Sequence, residues 1–160
     1  MAEKFEIKSL SEKDFPEILE MEEKIYPKAL RQGQALLEDI KKGNGLEYSI
    51  IIPGIAYLIA VDKEDSTVYL EDIAVMPEAQ RQGIGWKMAQ KFIKKLKSKA
   101  EKEGEPVLLS MHLREASQKL FEKHKEDLEK MGAETIKEEF LSAYYKNGEN
   151  AIYRIYKISF

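Results

Sequence analysis

The chain has no cysteine in its 160 residues, which excludes disulfides, thiolate metal sites and cysteine nucleophiles together. Any thiol chemistry must come from a cofactor. Histidine is nearly as scarce: His112 and His124 are the two present, and they do not stand at a metal-ligand spacing, so no metal is expected. Arginine is confined to Arg31, Arg81, Arg114 and Arg154, leaving lysine to balance abundant glutamate, a bias shared by hyperthermophile surfaces and optimised sequences. No apolar run reaches membrane-spanning length, because the longest, residues 50–61, is broken by Pro53-Gly54. The start, Met1-Ala2-Glu3-Lys4, lacks a charged-then-apolar leader pattern. A cytoplasmic location without a membrane partner is the expectation. The net charge of −3 argues against a broad nucleic-acid surface.

What is present is organised around residues 69–88, Tyr-Leu-Glu-Asp-Ile-Ala-Val-Met-Pro-Glu-Ala-Gln-Arg-Gln-Gly-Ile-Gly-Trp-Lys-Met. They read as an apolar strand, a turn at Pro77, a short loop and a helix opening on two glycines. The first N–H groups of a helix lack intrahelical partners and carry the positive end of its dipole, so a loop of this shape is an anion cradle. A diphosphate would sit on residues 82–86. A GxxxxGK[ST] phosphate loop is absent, and Gly83-Ile84-Gly85 is followed by Lys87-Met88 where a dinucleotide loop needs a third glycine. A ligand other than a nucleoside triphosphate or NAD is implied.

The remainder reads as one domain over residues 1–160, with no repeat, linker or low-complexity segment. A short strand is expected at residues 5–7. Ser11 then caps a helix carrying Phe15, Ile18, Leu19, Met21 and Ile25, which stops at Tyr26-Pro27. A second helix is expected at residues 34–41. Residues 46–52 and 55–61 read as strands joined by a hairpin at Pro53-Gly54, and residues 67–75 as the next strand. In that strand Glu71 and Asp72 are neighbours, so one of the two is expected to face the cleft. The glycine-led helix puts Ile84, Met88, Phe92, Leu96 and Ala100 on one stripe, with lysines around the rest. A buried strand at 106–112, a long helix at about 115–130, and strands at 135–145 and 151–158 around an Asn147-Gly148 hairpin turn complete the chain.

Gln80-x-x-Gly83-x-Gly85, placed after a strand ending Ile73-Ala74-Val75 and leading into an amphipathic helix, resembles the acyl-coenzyme A signature of the GNAT N-acetyltransferase superfamily. The element order β, α, α, β, β, β, α, β, α, β, β is similar to that family along the whole chain. The resemblance implies an α/β (α+β) fold with a mixed, mostly antiparallel, strongly twisted sheet of about six to seven strands flanked by about four helices. It implies an enzyme that moves acetyl from acetyl-CoA, a cosubstrate, to a primary amine of a small molecule or protein by direct attack in a ternary complex. Homodimers are common among its members. Main-chain contacts from Gln80, Arg81, Gln82, Gly83, Ile84, Gly85 and Trp86 would hold the diphosphate. The pantetheine arm would run beside Ile73, Ala74 and Val75, where the strand splays from the one at 107–112.

A protonated amine must lose a proton before attacking, so a base is expected in the cleft. Glu71 is the first candidate and Asp72 the alternative, placed meanwhile among the acceptor-binding residues with Tyr26, Arg31 and Tyr145. His112, at the end of the facing strand, is a second candidate base. Family members often carry an asparagine and, seven residues later, a tyrosine that protonates the leaving thiolate. Here those positions fall on Arg114 and Phe121, and phenylalanine has no proton to give. Either water or another group protonates the thiolate, or a tail tyrosine, Tyr144 or Tyr145, supplies the proton, unless the chain is an acyl-CoA-binding module with weak or no turnover.

Overall fold

The computed structural model describes residues 5–160. Seven strands form one sheet in the order β1-β2-β3-β4-β5-β7-β6: β1 Lys8–Ser9, β2 Ile50–Ile52, β3 Ala56–Asp62, β4 Val68–Val75, β5 Val107–Leu113, β6 Ala133–Leu141 and β7 Ala151–Ile158. All neighbours run antiparallel except β4 and β5, which are parallel. Six helices accompany it, α1 Phe15–Ile25, α2 Gln34–Lys42, α3 Gly45–Tyr48, α4 Ile84–Glu103, α5 Glu115–Lys123 and α6 Lys125–Lys130. No described helix is long and apolar enough to cross a membrane.

Through β2 and β3 the sheet is apolar on both faces, and alternation along the strands sorts the side chains into two cores. Ile50, Ile52, Leu58, Val68 and Leu70 pack with the α4 stripe of Ile84, Met88, Phe92, Leu96 and Ala100. Their alternates Ile51, Tyr57 and Ile59 pack with Phe15, Ile18 and Met21 of α1 and with Leu36, Leu37 and Ile40 of α2. Covering both faces of a sheet is the layered solution for strands without a polar side.

Several expected boundaries move. The first strand lies at Lys8–Ser9, after residues 5–7. Ser11 precedes a 3-10 turn, Glu12–Asp14, and the Asp14 carboxylate accepts from the Ser11 N–H at 2.9 Å. Residues 45–48 are a helical turn instead of strand, and Gly45 packs so tightly that a Cβ on it would stand 2.8 Å from the Ile40 Cα, an approach only glycine permits. The helix expected at 115–130 breaks at His124 (φ −110°, ψ 22°) into α5 and α6. The tight hairpin expected at Asn147-Gly148 is a longer loop, since the β6–β7 ladder ends at Leu141 opposite Ala151. Residues 142–150 make an excursion whose inner turn, Gly148 N–H to Tyr145 C=O at 2.9 Å, carries two tyrosines toward the sheet.

Candidate active site

The site is where the sheet comes apart. The β4–β5 ladder runs from Val68–Leu109 to Leu70–Met111 and stops there, although β4 continues to Val75 and β5 to Leu113. Each strand keeps its other neighbour to the end, β4 with β3 at Val75–Ala56 and β5 with β7 at Leu113–Ile152. A V-shaped gap results, and a cleft of about 300 Å³ occupies it, lined by Tyr26, Glu71, Asp72, Ile73, Ala74, Gln80, His112, Arg114, Phe121 and Tyr145 among others.

The cradle stands on the rim of this cleft. Pro77–Ala79 forms a 3-10 turn, and the Gln80 side-chain amide donates to the Val75 carbonyl at 3.0 Å, fixing the loop to the strand end. Arg81 and Gly83 both have positive φ, 66° and 76°, which curls the loop into the start of α4. Among the described residues, the main-chain N–H groups of Arg81 through Trp86 donate to no protein acceptor outside the helix, as a helix N-terminus dictates. A Cβ on Gly83 would meet nothing within 4 Å, and one on Gly85 would make only ordinary contacts of 3.7 Å with Leu120 and 4.0 Å with Val75. Close helix–strand packing therefore does not account for the two glycines. Backbone conformation accounts for Gly83, whereas the structure would tolerate a methyl at Gly85.

Glu71 and Asp72 do not alternate across the sheet. Leu70 pairs with Ala60 and Asp72 with Ile59, so Glu71 is the extra residue of a β-bulge. Both carboxylates consequently line the cleft. Asp72 accepts from the Tyr26 hydroxyl at 2.5 Å and from the Tyr57 hydroxyl at 3.3 Å. Burial, helped by the nearby Glu22 and Glu71 carboxylates and opposed by the two hydroxyls, raises its pKa to about 7. Glu71 lies 3.5 Å from the Lys63 ammonium. Burial and the neighbouring Asp39 raise its pKa, while Lys63 pulls against them.

His112 holds the opposite edge. Its Nδ1 is 2.6 Å from the Tyr69 hydroxyl, and burial together with the Lys63 charge lowers its pKa, which keeps the ring neutral at pH 7. Tyr144 stacks on the imidazole at a centroid distance of 4.6 Å, but it is 47% exposed and does not line the cleft. Tyr145 does line it, donating to the His112 carbonyl at 3.3 Å, with burial pushing its phenol up to about 12. Arg114 clamps the 142–150 loop through Glu149, at 2.7 and 3.2 Å. Phe121 is buried in the cleft wall, 2% exposed. Arg31 is absent from the cleft lining: its guanidinium donates to the carbonyls of Tyr26 and Glu23, both at 2.9 Å, capping the end of α1.

Tyr69, Lys63 and Glu22 were not singled out from the sequence. Tyr69 sits two residues before Glu71 on one strand, a period-2 relation that could have drawn notice. Nothing local marks Glu22, a buried carboxylate that accepts from the Gln32 and Gly33 N–H groups at 2.9 and 2.8 Å and so shapes the α1–α2 loop.

A sheet split beside a helix-terminal anion cradle, with proton-exchanging groups across the gap, defines the class of transferases that present an acyl-thioester carrier to an acceptor. A sequence model described as "Acetyltransferase (GNAT) family" matches residues 6–125. The chain belongs to that family, whose general activity is acyl transfer from coenzyme A. No curated protein matches it in sequence. Among solved structures it is similar to the ribosomal-protein-S18-alanine N-acetyltransferase from Escherichia coli, at 23% identity and TM-score 0.67, covering 98% of this chain and 96% of that one. It is also similar to Ard1 from Thermoplasma volcanium, at 17% identity and TM-score 0.65, covering 97% of each. Arabidopsis thaliana Naa50, solved in complex with the bisubstrate analogue CoA-Ac-MVNAL, shares 15% identity and TM-score 0.65 over 93% of this chain and 96% of that one. At such identities the likeness establishes the fold: a mixed, mostly antiparallel seven-stranded sheet with helices on both faces.

Proposed function

We propose that this chain is a single-domain N-acetyltransferase that moves acetyl from acetyl-CoA to a primary amine by direct attack. The observation that carries the reading is the coincidence at one end of the sheet of six unpartnered amides, residues 81–86, with the end of the β4–β5 ladder at Leu70–Met111. The amides and the dipole of α4 hold the diphosphate of coenzyme A. The pantetheine arm follows Ile73 and Ala74 into the gap. Main-chain N–H groups of β4 released from β5 polarise the thioester carbonyl, an oxyanion-type contribution.

The amine arrives from the side of Tyr26, Glu71 and His112. Of the three candidate bases, His112 is the best placed to act. Neutral imidazole whose Nδ1–H donates to the Tyr69 oxygen leaves Nε2 free to take the ammonium proton, directly or through water. Glu71 is tied to Lys63, and Asp72 orients Tyr26 through its short hydrogen bond. Tyr145, in place of Tyr144, is the hydroxyl available to the leaving thiolate. Proteins similar in structure include ones named for acetylating a ribosomal-protein alanine and ones bound to an acetylated-peptide analogue, so a polypeptide α-amine stands beside small-molecule amines as the acceptor.

Acetyl-CoA at millimolar concentration should raise the melting temperature, as a ligand selective for the native state must, and an amine panel should release free thiol from it. No thermal shift would end the proposal. A shift with a silent panel would favour a coenzyme A-binding module, the reading that Phe121 at the usual tyrosine position supports.

A further inference from the structure

On the far side of Glu71 and His112 a second groove, of about 880 Å³, shares those two residues with the cleft and continues past Asp39, Lys63, Tyr69 and Tyr144. Within it an ammonium is already seated. The Lys63 Nζ lies 4.8 Å above the centroid of the Tyr69 ring and 3.5 Å from Glu71 Oε1. A buried carboxylate beneath a cation and an aromatic face above it is how proteins hold alkylammonium groups. The carboxylate side is built: the Glu71 side chain is 9% exposed, whereas that of Lys63 is 43% exposed. Asp39 lines the same groove and raises the proton affinity of Glu71. Lys63 follows the end of β3 and belongs to the turn leading into β4, where a side chain can swing away at little cost.

The geometry points to an ammonium subsite made by Glu71 and Tyr69, occupied by Lys63 in the free protein and taken over by a second cationic group of the acceptor. The acceptor class is therefore an amine carrying another ammonium a few bonds from the reacting one: a small diamine or polyamine, or a polypeptide whose lysine follows its terminal amine. The inference uses the acetyltransferase reading only for the identity of the reacting amine at His112. The subsite itself is defined by Glu71, Tyr69 and Lys63.

The test compares α,ω-diaminoalkanes with alkylamines of equal length, and tetrapeptides bearing lysine or norleucine at the second position. Acetyl-CoA binding is established first by thermal shift. Its failure would overturn the transferase reading and still leave the subsite readable, by calorimetric titration of 1,5-diaminopentane against pentylamine into the coenzyme-free protein. The wild type is expected to favour the doubly charged member of a pair by about tenfold, the size of one cation–carboxylate–π contact. Glu71→Gln should erase that ratio. Lys63→Met, which removes the competing ammonium, should increase it. Circular dichroism and melting curves check that both variants fold, and Tyr69→Leu, read only by the calorimetric titration because Tyr69 also holds His112, provides a second route to the same loss. A preference confined to diamines assigns the second charge to a small molecule, and one confined to lysine peptides assigns it to a polypeptide. Equal use of both members of each pair overturns the proposal. So does a Glu71→Gln variant that loses both members equally, because Glu71 would then be serving the reacting amine.

Discussion

The two halves of the cleft are made in opposite ways. The cradle at residues 80–86 is consecutive backbone, its donors supplied by the start of α4 and its shape by positive φ at Arg81 and Gly83. The facing wall takes Tyr26 from the end of α1, Glu71 and Asp72 from β4, His112 from β5 and Tyr145 from the 142–150 loop. The first half is indifferent to side-chain identity at most positions and needs only that space stay open. The second works through side-chain pairs joined across large sequence separations, Tyr26 with Asp72 and Tyr69 with His112. Carrier binding and acceptor chemistry should therefore fail separately.

The sharpest break is expected on the acceptor side. His112→Gln should lower kcat by about 100-fold or more, the usual contribution of a positioned base, while the acetyl-CoA thermal shift persists. Loss of both together would mean that His112 holds the sheet and is not the base. Next comes the cradle. Gly85→Ala places a methyl in ordinary contact with Leu120 and Val75, so stability should change by under about 0.5 kcal/mol, yet the Kd for acetyl-CoA should rise several-fold. Gly83→Ala should weaken binding too, and at φ 76° should also cost about 1 kcal/mol in urea denaturation. An unchanged Kd in Gly85→Ala would show that the ligand never approaches that backbone.

Smaller effects refine the facing wall. Tyr145→Phe should reduce kcat by more than Tyr144→Phe does, since only Tyr145 lines the cleft. The reverse order would return the proton-donor role to Tyr144. The smallest is a slope. The folded Asp72 carboxyl binds its proton more tightly than the unfolded one, its pKa being raised to about 7, so the native state holds more protons between about pH 4 and pH 7. Its contribution to stability is then greatest at the acid end and is lost as pH rises through that window. Asp72→Asn should flatten the fall in melting temperature across it relative to wild type. An identical slope would mean that Asp72 ionises normally.

Periodicity along each element was enough to reveal the α4 stripe, the apolar faces of α1 and α2 and the glycine-led start of α4, because these are consequences of local geometry repeated along one stretch. Composition likewise ruled out thiol chemistry from the protein itself. Tertiary structure decided the rest. The bulge at Glu71 turned two carboxylates to one side, the Leu141–Ala151 register opened the tail loop that selects Tyr145, and the α1 carbonyls claimed Arg31. Each outcome depends on a partner far away in the chain, and short-range pattern holds no information about distant hydrogen bonds. Amino-acid order alone thus placed the glycine-led loop and the helix it opens, while folding chose which side chains meet across the gap.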